Sequence, residues 1–527
     1  MLKALTAPRG IVTAPHHLAA QAGCSVLRDG GNAVEAMVAA AATIAVVYPH
    51  MNSIGGDGFW LIGGPGRAPV GIDACGRAAS VATPAFYERL GYTAIPTRGP
   101  LAANTVAGAV SGWQAALEAL PGRLPVSRLL EDAIGYARDG TPVTQNQAIY
   151  TNRFAAELAP QPGFAAAYMR DGKAPAAGTL QRFSALASTF ERLARRGLDD
   201  FYRGDVARSL AAALEHLGSP IRHEDLQRHA ASIVTPLRTR LTAGTAYNLP
   251  PPTQGVASLM ILALFDRLRG DTRAESFEHV HGLVEATKQA FLWRNRHLCD
   301  PAAMRADVAT FLHESTLAEC LRAIDRHRAR AWPEPAQKGD TVWMGASDRN
   351  GCVVSYIQSV YWEFGSGVVL DDTGVTWQNR GSSFSLDPRS HLALVPGRKP
   401  VHTLNPALAE LADGRVMVYG NMGGDGQPQS QAAVFSRYAM FGQDLQQAIT
   451  APRWLLGRTW GDMSVSLKLE SRFDDALVGA LRDAGHEIEL IDEFSDLVGH
   501  AGALVRHPNG VIAGAADPRS DGIVAGF

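Results

Sequence analysis

The sequence predicts a layered fold of mixed helices and strands, of the α+β or α/β class. The 527 residues are 46% apolar and 19% charged, which is an ordinary globular composition. Helical patterns dominate the first half of the chain, whereas alternating strand patterns dominate after Thr341. Helical segments return after those strands, so the predicted sheets have helices available for both faces.

The helices predicted in the first half have recognisable ends. The segment "HHLAAQAGCSVLRDGG" indicates a helix that closes at Gly30 and Gly31. Asn32 has the position of an N-cap for a helix over 33–47, whose alanine-rich run is too short to cross a bilayer and suits an internal helix. A glycine turn and a short strand follow in "SIGGDGFWLIGG". Further helical patterns lie near 104–119, 126–138, 188–197, 205–217, 255–268 and 276–295.

The second half alternates between strand and helix signals. Predicted strands lie at 341–348, 352–359, 366–370, 392–396 and 415–420. Predicted helices follow at 427–440, 443–450 and 474–485, and the last predicted strands are 487–491, 502–506 and 511–515. Segments 247–255 and 327–340 have loop composition, so we expect the residues just before Thr341 to be exposed and mobile.

Charge and cysteine content exclude several classes of protein. The formal net charge of −2 favours neither nucleic acid nor an anionic membrane as a partner. Five scattered cysteines, without a CxxC pair or zinc spacing, fit a reducing compartment. The first residues lack the pattern of a signal peptide, so we expect a cytoplasmic protein.

A β-hairpin is predicted in "TVWMGASDRNGCVVSYIQS", which begins at Thr341. Asn350 and Gly351 form the preferred two-residue turn, in which both residues need positive φ. The pairing that follows places Thr341 opposite Val360 and beside Ser359.

A threonine at such a strand end has two interpretations. It is either an ordinary strand residue or a nucleophile whose hydroxyl is activated by its own α-amino group, which has a pKa near 7.7–8.0. That amino group exists only after the bond between Asp340 and Thr341 is cut, and the same hydroxyl can make the cut by attacking the Asp340 carbonyl. These residues alone leave both interpretations open.

Longer motifs resemble the γ-glutamyltranspeptidase family of N-terminal-nucleophile hydrolases nearly from end to end. They include "GGNAVEAMVAAAATIAVVYPHMNSIGGDGFWLI", "NTVAGAVSGWQAAL", "ARDGTPV", "FYRGDVARSL", "LPPPTQG", "FGSGVVL", "YGNMGGDGQPQ" and "GAADPRSDG". The resemblance implies an α+β fold of the four-layer αββα type. It also implies a precursor that cleaves itself between Asp340 and Thr341 into a large chain, 1–340, and a small chain, 341–527.

The resemblance also implies catalytic roles. The small chain would begin with the nucleophile Thr341, and Ser359 matches a hydroxyl residue that contacts it. Gly423 and Gly424 match the family's oxyanion hole, which is chemically sensible because consecutive glycines let backbone N–H groups approach an oxyanion closely.

The residues expected to recognise a γ-glutamyl group depart from the family pattern. The arginine that follows "D-F" in the family is displaced here to Arg77, and "NNQMDDFS" becomes "QNRGSSFS". Arg380 thereby replaces a glutamine, and Ser383 replaces the acid that would hold a substrate ammonium. A negative partner is lost and a cation is gained, so the pocket is predicted to bind a carboxylate without an amino group.

Three further positions support a changed pocket. Tyr361 stands where the family has asparagine, and His402 and Thr403 replace a Ser-Ser pair that touches the substrate carboxylate. The bulk of Tyr361, Trp343 and Trp362 could reduce the size of the site.

This pattern is similar to the oxamate amidohydrolase branch of the family. The expected reaction is hydrolysis of oxamate, or a similar small anionic amide, to oxalate and ammonia. A γ-glutamyltransferase or glutathione hydrolase is the first alternative, and an uncleaved, non-catalytic binding protein is the alternative from another class. The expected partners are the two chains of one precursor, with a dimer of that pair possible.

Neither a cofactor nor a metal is predicted. His279 and His281 are two positions apart on a predicted helix and do not share a face, so we expect His279, His281 and Glu285 to be structural. His223 and His229 are expected to lie on a solvated helix. The glycine-rich segments lack the strand–helix context of a dinucleotide site.

Overall fold

A computed structural model describes residues 3–332, 340–457 and 465–527, with only the backbone described for Asp340. The helices are α1 (His17–Arg28), α2 (Ala33–Val47), α3 (Pro84–Arg89), α4 (Ala109–Ala119), α5 (Val126–Leu129), α6 (Glu131–Asp139), α7 (Gln145–Arg153), α8 (Ala155–Leu158), α9 (Phe164–Tyr168), α10 (Ser184–Arg196), α11 (Asp200–Arg203), α12 (Asp205–His216), α13 (His223–Arg228), α14 (Gly255–Leu268), α15 (Phe277–His297), α16 (Glu314–Arg322), α17 (Gly426–Phe435), α18 (Leu445–Thr450) and α19 (Asp475–Asp483).

The strands are β1 (Leu5–Ala7), β2 (Gly10–Ala14), β3 (Asp57–Gly64), β4 (Arg67–Ala74), β5 (Thr141–Pro142), β6 (Leu180–Gln181), β7 (Ser232–Val234), β8 (Leu237–Leu241), β9 (Gly244–Asn248), β10 (Asp340–Asp348), β11 (Val353–Tyr361), β12 (Val369–Leu370), β13 (Val375–Thr376), β14 (Ala407–Leu411), β15 (Val416–Asn421), β16 (Trp454–Leu456), β17 (Leu467–Glu470), β18 (Ile488–Ile491), β19 (Ala501–Arg506), β20 (Ile512–Ala516) and β21 (Ile523–Gly526).

Two seven-stranded sheets form the centre of the fold. The first has the strand order β21-β2-β10-β11-β3-β4-β7, and its pairs are antiparallel throughout. The second has the order β1-β20-β19-β15-β14-β9-β8 and is also antiparallel. In the first sheet, strand β10 lies between β2 from the start of the chain and β11 from its own hairpin. The strand that begins at Thr341 is therefore central to that sheet.

Three apolar clusters separate four layers. One joins α2 to the first sheet and includes Met344 and Val354. A second lies between the two sheets and includes Phe59, Trp343 and Leu504. A third joins the second sheet to α14, α15 and α17. The order helix, sheet, sheet, helix confirms the α+β sandwich.

Helix α2 follows the sequence prediction closely. The Asn32 side chain accepts hydrogen bonds from the backbone N–H groups of Val34 and Glu35, and the Glu35 carboxylate accepts one from Asn32 in return. This reciprocal cap satisfies N–H groups that the helix itself leaves unpaired. All 15 residues of α2 are buried, which confirms the predicted internal helix.

Trp343, two residues after Thr341, fills space between the two sheets. The indole of Trp343 is 3% exposed and donates to Ser355 Oγ at 2.9 Å. A Cβ atom at Gly420 would lie 2.1 Å from Trp343 Cδ1, so a larger residue would collide with the ring. Trp343 thus belongs to the core between the sheets, which differs from the expectation that it narrows the substrate site.

The turn of the β10–β11 hairpin differs from the prediction. Gly351 has positive φ (95°), but Asn350 does not, and the carbonyl of Asp348 accepts from Gly351 N at 3.2 Å. Arg349 and Asn350 are therefore the central residues of the turn, and Gly351 follows them. The prediction of an Asn350–Gly351 turn was wrong because the Asp348 carboxylate accepts from the N–H groups of Asn350 and Cys352, and this local bonding selects the longer loop.

Several other segments also differ from the sequence expectation. The helix predicted at 126–138 is divided into α5 and α6, and the segment 392–396 forms only an isolated bridge through Ala393. The strands that were not predicted are β1, β2, β4, β5, β6, β7, β8, β9, β13, β14, β16, β17 and β21. Residues 333–339 of the predicted mobile loop lie outside the described residues. None of the described helices combines the length and apolar character that a bilayer crossing requires.

Candidate active site

Thr341 lies at the start of β10 and is 1% exposed. Asp340 pairs with Tyr361 and Val342 pairs with Gln358, so the register shifts between these two pairs. Two residues of β11, Ser359 and Val360, consequently face the single residue Thr341. The predicted hairpin is confirmed, and the bulge places Thr341 opposite both residues.

The chain bends sharply beyond Ser359. Ser359 Oγ accepts a hydrogen bond from the backbone N–H of Tyr361 at 2.7 Å. Tyr361 has a positive φ of 84°, a conformation that costs a non-glycine residue roughly 1–3 kcal/mol. Such strain persists where surrounding structure enforces it, and here it occurs in the residue paired with Asp340.

A glycine turn lies next to the threonine hydroxyl. Gly423 and Gly424 connect β15 to α17 with φ values of 108° and 52°. Gln427, in the first turn of α17, donates from Nε2 to Thr341 Oγ1 at 3.3 Å. The first turn of the ten-residue helix α17 therefore lies beside the nucleophile candidate, and the N-terminal end of a helix favours negative charge.

Buried polar side chains bind the glycine turn through hydrogen bonds and an ion pair. Gln254 donates from Nε2 to the carbonyl oxygens of Gly424 and Thr403 at 2.9 and 2.6 Å. Arg294 of α15 donates to Gln254 Oε1 and forms a two-bond ion pair with Asp425, at 2.7 and 3.0 Å. Removing one partner of such a buried pair leaves an uncompensated charge, so these contacts keep the turn rigid.

Arg380 is completely buried and contacts Thr403, whose carbonyl accepts from Gln254. Its guanidinium donates from Nη1 to the Val401 carbonyl at 3.1 Å and from Nη2 to Thr403 Oγ1 at 2.9 Å. Its Cζ lies 3.7 Å from the centroid of the Tyr361 ring, and Nε is buried without a hydrogen-bond partner in the described part of the chain. Among the described residues, no carboxylate lies within ion-pair distance of Arg380. Burial lowers the pKa of this arginine from its ordinary value.

A buried acid next to Arg380 is already saturated with donors. Asp57 accepts from the N–H groups of Gly76 and Gly108 and from Gln378 Nε2 at 2.9–3.1 Å. Its other oxygen lies 2.8 Å from His402 Nε2. Burial raises the pKa of Asp57 to about 6.

His402 is held in its neutral form. Burial lowers its pKa well below the usual value, with further lowering from the charges of Arg380 and Lys399. A neutral His402 donates from Nε2 to Asp57, and its buried Nδ1 has no hydrogen-bond partner within residues 3–332, 340–457 and 465–527. His402 and Thr403 thus line the same interior region as Arg380.

Arg77 does not belong to the buried group formed by Asp57, Arg380 and His402. Arg77 is exposed and donates to the Gly397 carbonyl at 3.0 Å, whereas Cys75, two residues earlier, is buried. Burial raises the pKa of the Cys75 thiol well above its usual value, so no thiolate is available for nucleophilic attack. Ser383 is half-buried and donates to the Arg380 carbonyl at 2.9 Å.

Asp57, Cys75 and His402 have the composition of a metal-binding cluster. One ligand atom from each lies within 4.8 Å of the others. The positive charges of Arg380 and Lys399 on this region oppose a cation, and the thiol remains protonated. The region is better suited to an anion.

Sequence reasoning missed the residues that connect Thr341 to Arg380. Asn405 Nδ2 donates to the Thr403 carbonyl at 3.0 Å and to Gln427 Oε1 at 3.4 Å, which links the two ends of the group. Asp57, Gln254 and Gln427 occur in the motifs "GGDGF", "PPTQG" and "GGDGQ", which were noted for their glycines and prolines. The polar residues inside those motifs were the sequence feature from which their role could have been predicted.

The chain is similar to several known proteins over nearly its whole length. The family model of γ-glutamyltranspeptidase matches residues 19–527. The oxamate amidohydrolase proenzyme of Klebsiella pneumoniae subsp. pneumoniae is 55% identical over 522 residues, which cover 98% of each chain. The glutathione hydrolase-like YwrD proenzyme of Bacillus subtilis is 38% identical over 530 residues, covering 100% of both chains. The crystal structure of cephalosporin acylase from Bacillus halodurans has a TM-score of 0.90 at 31% identity, covering 100% of this chain and 97% of its own.

Proposed function

This chain belongs to the γ-glutamyltranspeptidase family and is a hydrolase of the N-terminal-nucleophile type; from that premise, we propose that it cleaves itself before Thr341 and then hydrolyses oxamate or a closely similar anionic amide. The observation that carries the choice of substrate is Arg380, a buried arginine without a carboxylate partner among the described residues. The resemblance of 55% to an oxamate amidohydrolase proenzyme supports the same choice.

The proposed maturation is an intramolecular reaction. The hydroxyl of Thr341 attacks the Asp340 carbonyl carbon, the peptide bond breaks, and the acyl group moves from nitrogen to oxygen as an ester. Water then hydrolyses the ester and leaves residues 1–340 and 341–527 as separate chains in one αββα unit. The freed α-amino group has a pKa close to neutrality and becomes the base for the next reaction.

The proposed catalytic reaction uses the same hydroxyl. Thr341 Oγ1 attacks the amide carbon of oxamate, and the developing oxyanion accepts hydrogen bonds from the backbone at Gly423 and Gly424. Ammonia leaves with a proton, and water hydrolyses the resulting oxalyl ester to oxalate. The hydrogen bond from Gln427 supports this role, because it orients the hydroxyl beside the N-terminal end of α17.

The proposed recognition depends on a carboxylate. Arg380 and Thr403 would bind it with charge-assisted hydrogen bonds, each worth roughly 1.5–3 kcal/mol. Tyr361 and His402 would limit the length of the substrate. A substrate ammonium lacks a partner here, because Ser383 carries no charge and Asp57 is already saturated by four donors. We leave Arg77 out of the proposed pocket because its side chain is exposed.

Self-cleavage is tested on a denaturing gel with mass spectrometry. We expect fragments of residues 1–340 and 341–527, and an intact Thr341→Ala chain. Thr341→Ser, which keeps the hydroxyl, is expected to retain slow cleavage. An intact wild-type chain that hydrolyses amides would contradict the mechanism, and an intact chain without activity would favour the binding-protein alternative.

Substrate choice is tested by comparing two reactions of the matured protein. We expect ammonia release from oxamate and little amine release from a γ-glutamyl anilide. Turnover of the anilide alone would establish the alternative, a γ-glutamyl hydrolase or transferase, which the 38% identity to a glutathione hydrolase-like proenzyme keeps relevant.

The carboxylate contact has its own variant. Arg380→Lys keeps the charge but loses the two-pronged geometry, so we expect KM for oxamate to rise at least tenfold while cleavage before Thr341 continues. Continued cleavage serves as the check of folding. Unchanged oxamate kinetics would remove Arg380 from the pocket.

The location of the protein is also part of the proposal. All five cysteines lie among the described residues and are free thiols, which is consistent with a reducing cytoplasm.

A further inference from the structure

A second buried cluster lies on α15, away from Thr341. His281 and Glu285 are four residues apart on this helix and share a face, and His486 reaches them from the segment after α19. Their exposed fractions are 1%, 0% and 6%. One ligand atom from each lies within 4.8 Å of the others.

The orientation of His281 is set by a backbone carbonyl. Its Nε2 lies 2.8 Å from the Asp325 carbonyl oxygen, which can only accept, so Nε2 carries the proton. The lone pair on Nδ1 therefore faces His486 Nε2, 2.9 Å away. A ligand histidine in a metal site is commonly held through its second nitrogen in this way.

Glu285 completes the donor set. Its Oε1 accepts from Lys288 Nζ at 2.6 Å, and the Arg330 N–H lies 3.3 Å from both carboxylate oxygens. From the described residues, Oε2 therefore receives only one long hydrogen bond. Lys288 also donates to the Arg330 carbonyl at 2.5 Å. The lysine competes with a cation for Glu285, yet one oxygen retains capacity for another partner.

We propose that His281, Glu285 and His486 bind one divalent transition-metal ion, with Zn²⁺ as the best match. Two imidazole nitrogens and one carboxylate oxygen are a common zinc donor set, with water as the fourth ligand. Tetrahedral Zn–N bonds of about 2.0–2.1 Å place two nitrogens roughly 3.3 Å apart, so the imidazoles must separate by a few tenths of an ångström. His486 moves its proton from Nε2 to Nδ1 and presents a lone pair, without net loss of a proton.

The charges around His281, Glu285 and His486 are less unfavourable for a bound cation than those around the other candidate cluster. Lys288, the cation that contacts this cluster, is paired with Glu285, and Arg330 lies near enough for its charge to act on Lys288. By contrast, Asp57, Cys75 and His402 lie near both Arg380 and Lys399, and the thiol of Cys75 is protonated.

The ion would connect segments on both sides of Thr341. His281 and Glu285 precede it, and His486 follows it in the sequence. The cluster also contacts the backbone of Asp325 and Arg330. If the proposed cleavage occurs, the ion would hold the two product chains together, and this consequence alone depends on the proposed function.

Metal binding is tested with Zn²⁺ and Co²⁺ on the full chain after treatment with a chelator. We expect about one tightly bound Zn²⁺ per chain, and intense visible bands from Co²⁺ that indicate tetrahedral coordination. Affinity should fall at least tenfold in His486→Ala and in Glu285→Gln. Lys288→Met removes the competing cation and should bind Zn²⁺ more tightly than the wild type.

Two control variants identify the cluster. His279→Gln alters a buried histidine of the same helix that contacts Ser436 rather than His486, and Cys75→Ala disables the other cluster. Both should bind Zn²⁺ as the wild type does. Equal affinity in the wild type and in His486→Ala, or loss of binding in Cys75→Ala alone, would overturn the proposal. Failure of the folded wild type to retain Zn²⁺ would do so as well.

Discussion

Buried charge without the usual partner distinguishes the candidate site at the scale of single residues. Arg380 has no carboxylate within ion-pair distance among the described residues, while Asp57 is satisfied by two backbone N–H groups, an amide and His402. An anionic ligand would complete the environment of Arg380. An ammonium ligand would have to displace donors from Asp57, which is unfavourable inside a protein.

The raised pKa of Asp57 predicts a pH dependence of stability. Its pKa moves from 3.8 to about 6 in the folded chain, so between these values the folded state binds more protons than the unfolded state. The contribution of Asp57 to the free energy of unfolding is therefore smallest above pH 6. It is lower there than at low pH by an amount on the order of 3 kcal/mol. Asp57→Asn should lose less thermal stability than the wild type as pH rises from 4 to 6.

The measurement is the unfolding temperature as a function of pH. Asp475→Asn, which changes an exposed aspartate of α19, is the control and should follow the wild-type curve. Parallel curves for Asp57→Asn and the wild type would show that Asp57 is ionised throughout this range.

At the scale of elements, the β10–β11 hairpin is positioned by the residue at its far end. The Asp348 carboxylate accepts from the N–H groups of Asn350 and Cys352, at 2.9 and 3.1 Å. Its other oxygen accepts from Ala33 N at 2.9 Å, at the first residue of α2. One buried side chain therefore determines the turn and attaches the hairpin that begins near Thr341 to the central helix.

Asp348→Ala should be strongly destabilising. It leaves three backbone N–H groups without their acceptor, of which that of Ala33 is fully buried, and we expect a loss of about 2–4 kcal/mol. Asp413→Ala is the matched control, because Asp413 also accepts from a turn N–H, that of Arg415, but is exposed. Denaturant or thermal unfolding compares the two variants, and equal effects would contradict the role assigned to Asp348.

At the scale of the whole molecule, residues before and after Thr341 form common layers. In the first sheet β10 and β11 lie between β2 and β3, and the cluster between the sheets includes Phe59 and Trp343. A cut at Thr341 would separate the sequence without separating the core. The two segments depend on each other for burial of their apolar surface.

The matured chains should therefore remain associated without a covalent link. We expect fragments 1–340 and 341–527 to elute together in size-exclusion chromatography under native conditions and to separate only in denaturant. The uncleaved Thr341→Ala chain gives the reference elution volume. Separation of the fragments in native buffer would contradict a shared core.

Sequence reasoning succeeded where the signal is local. The cap at Asn32, the internal helix over 33–47 and the hairpin after Thr341 depend on neighbouring residues, and the structure contains all three. It failed where a competing contact decides the result. The turn at Asn350 and Gly351 changed because Asp348 bonds across it, and strand β2 is short and gives little alternating signal.

The motifs of the sequence by themselves determined the family and the αββα layering, and they alone led to the proposal that Thr341 is the nucleophile, because long motifs are properties of the chain. Only the tertiary structure decided that Arg380 is buried without an acid, that Arg77 points to solvent and that His486 meets His281. These residues are far apart in sequence or directed by a local bend. Their environment depends on which surfaces the packed sheets and helices bring together, and no short window of sequence contains that information.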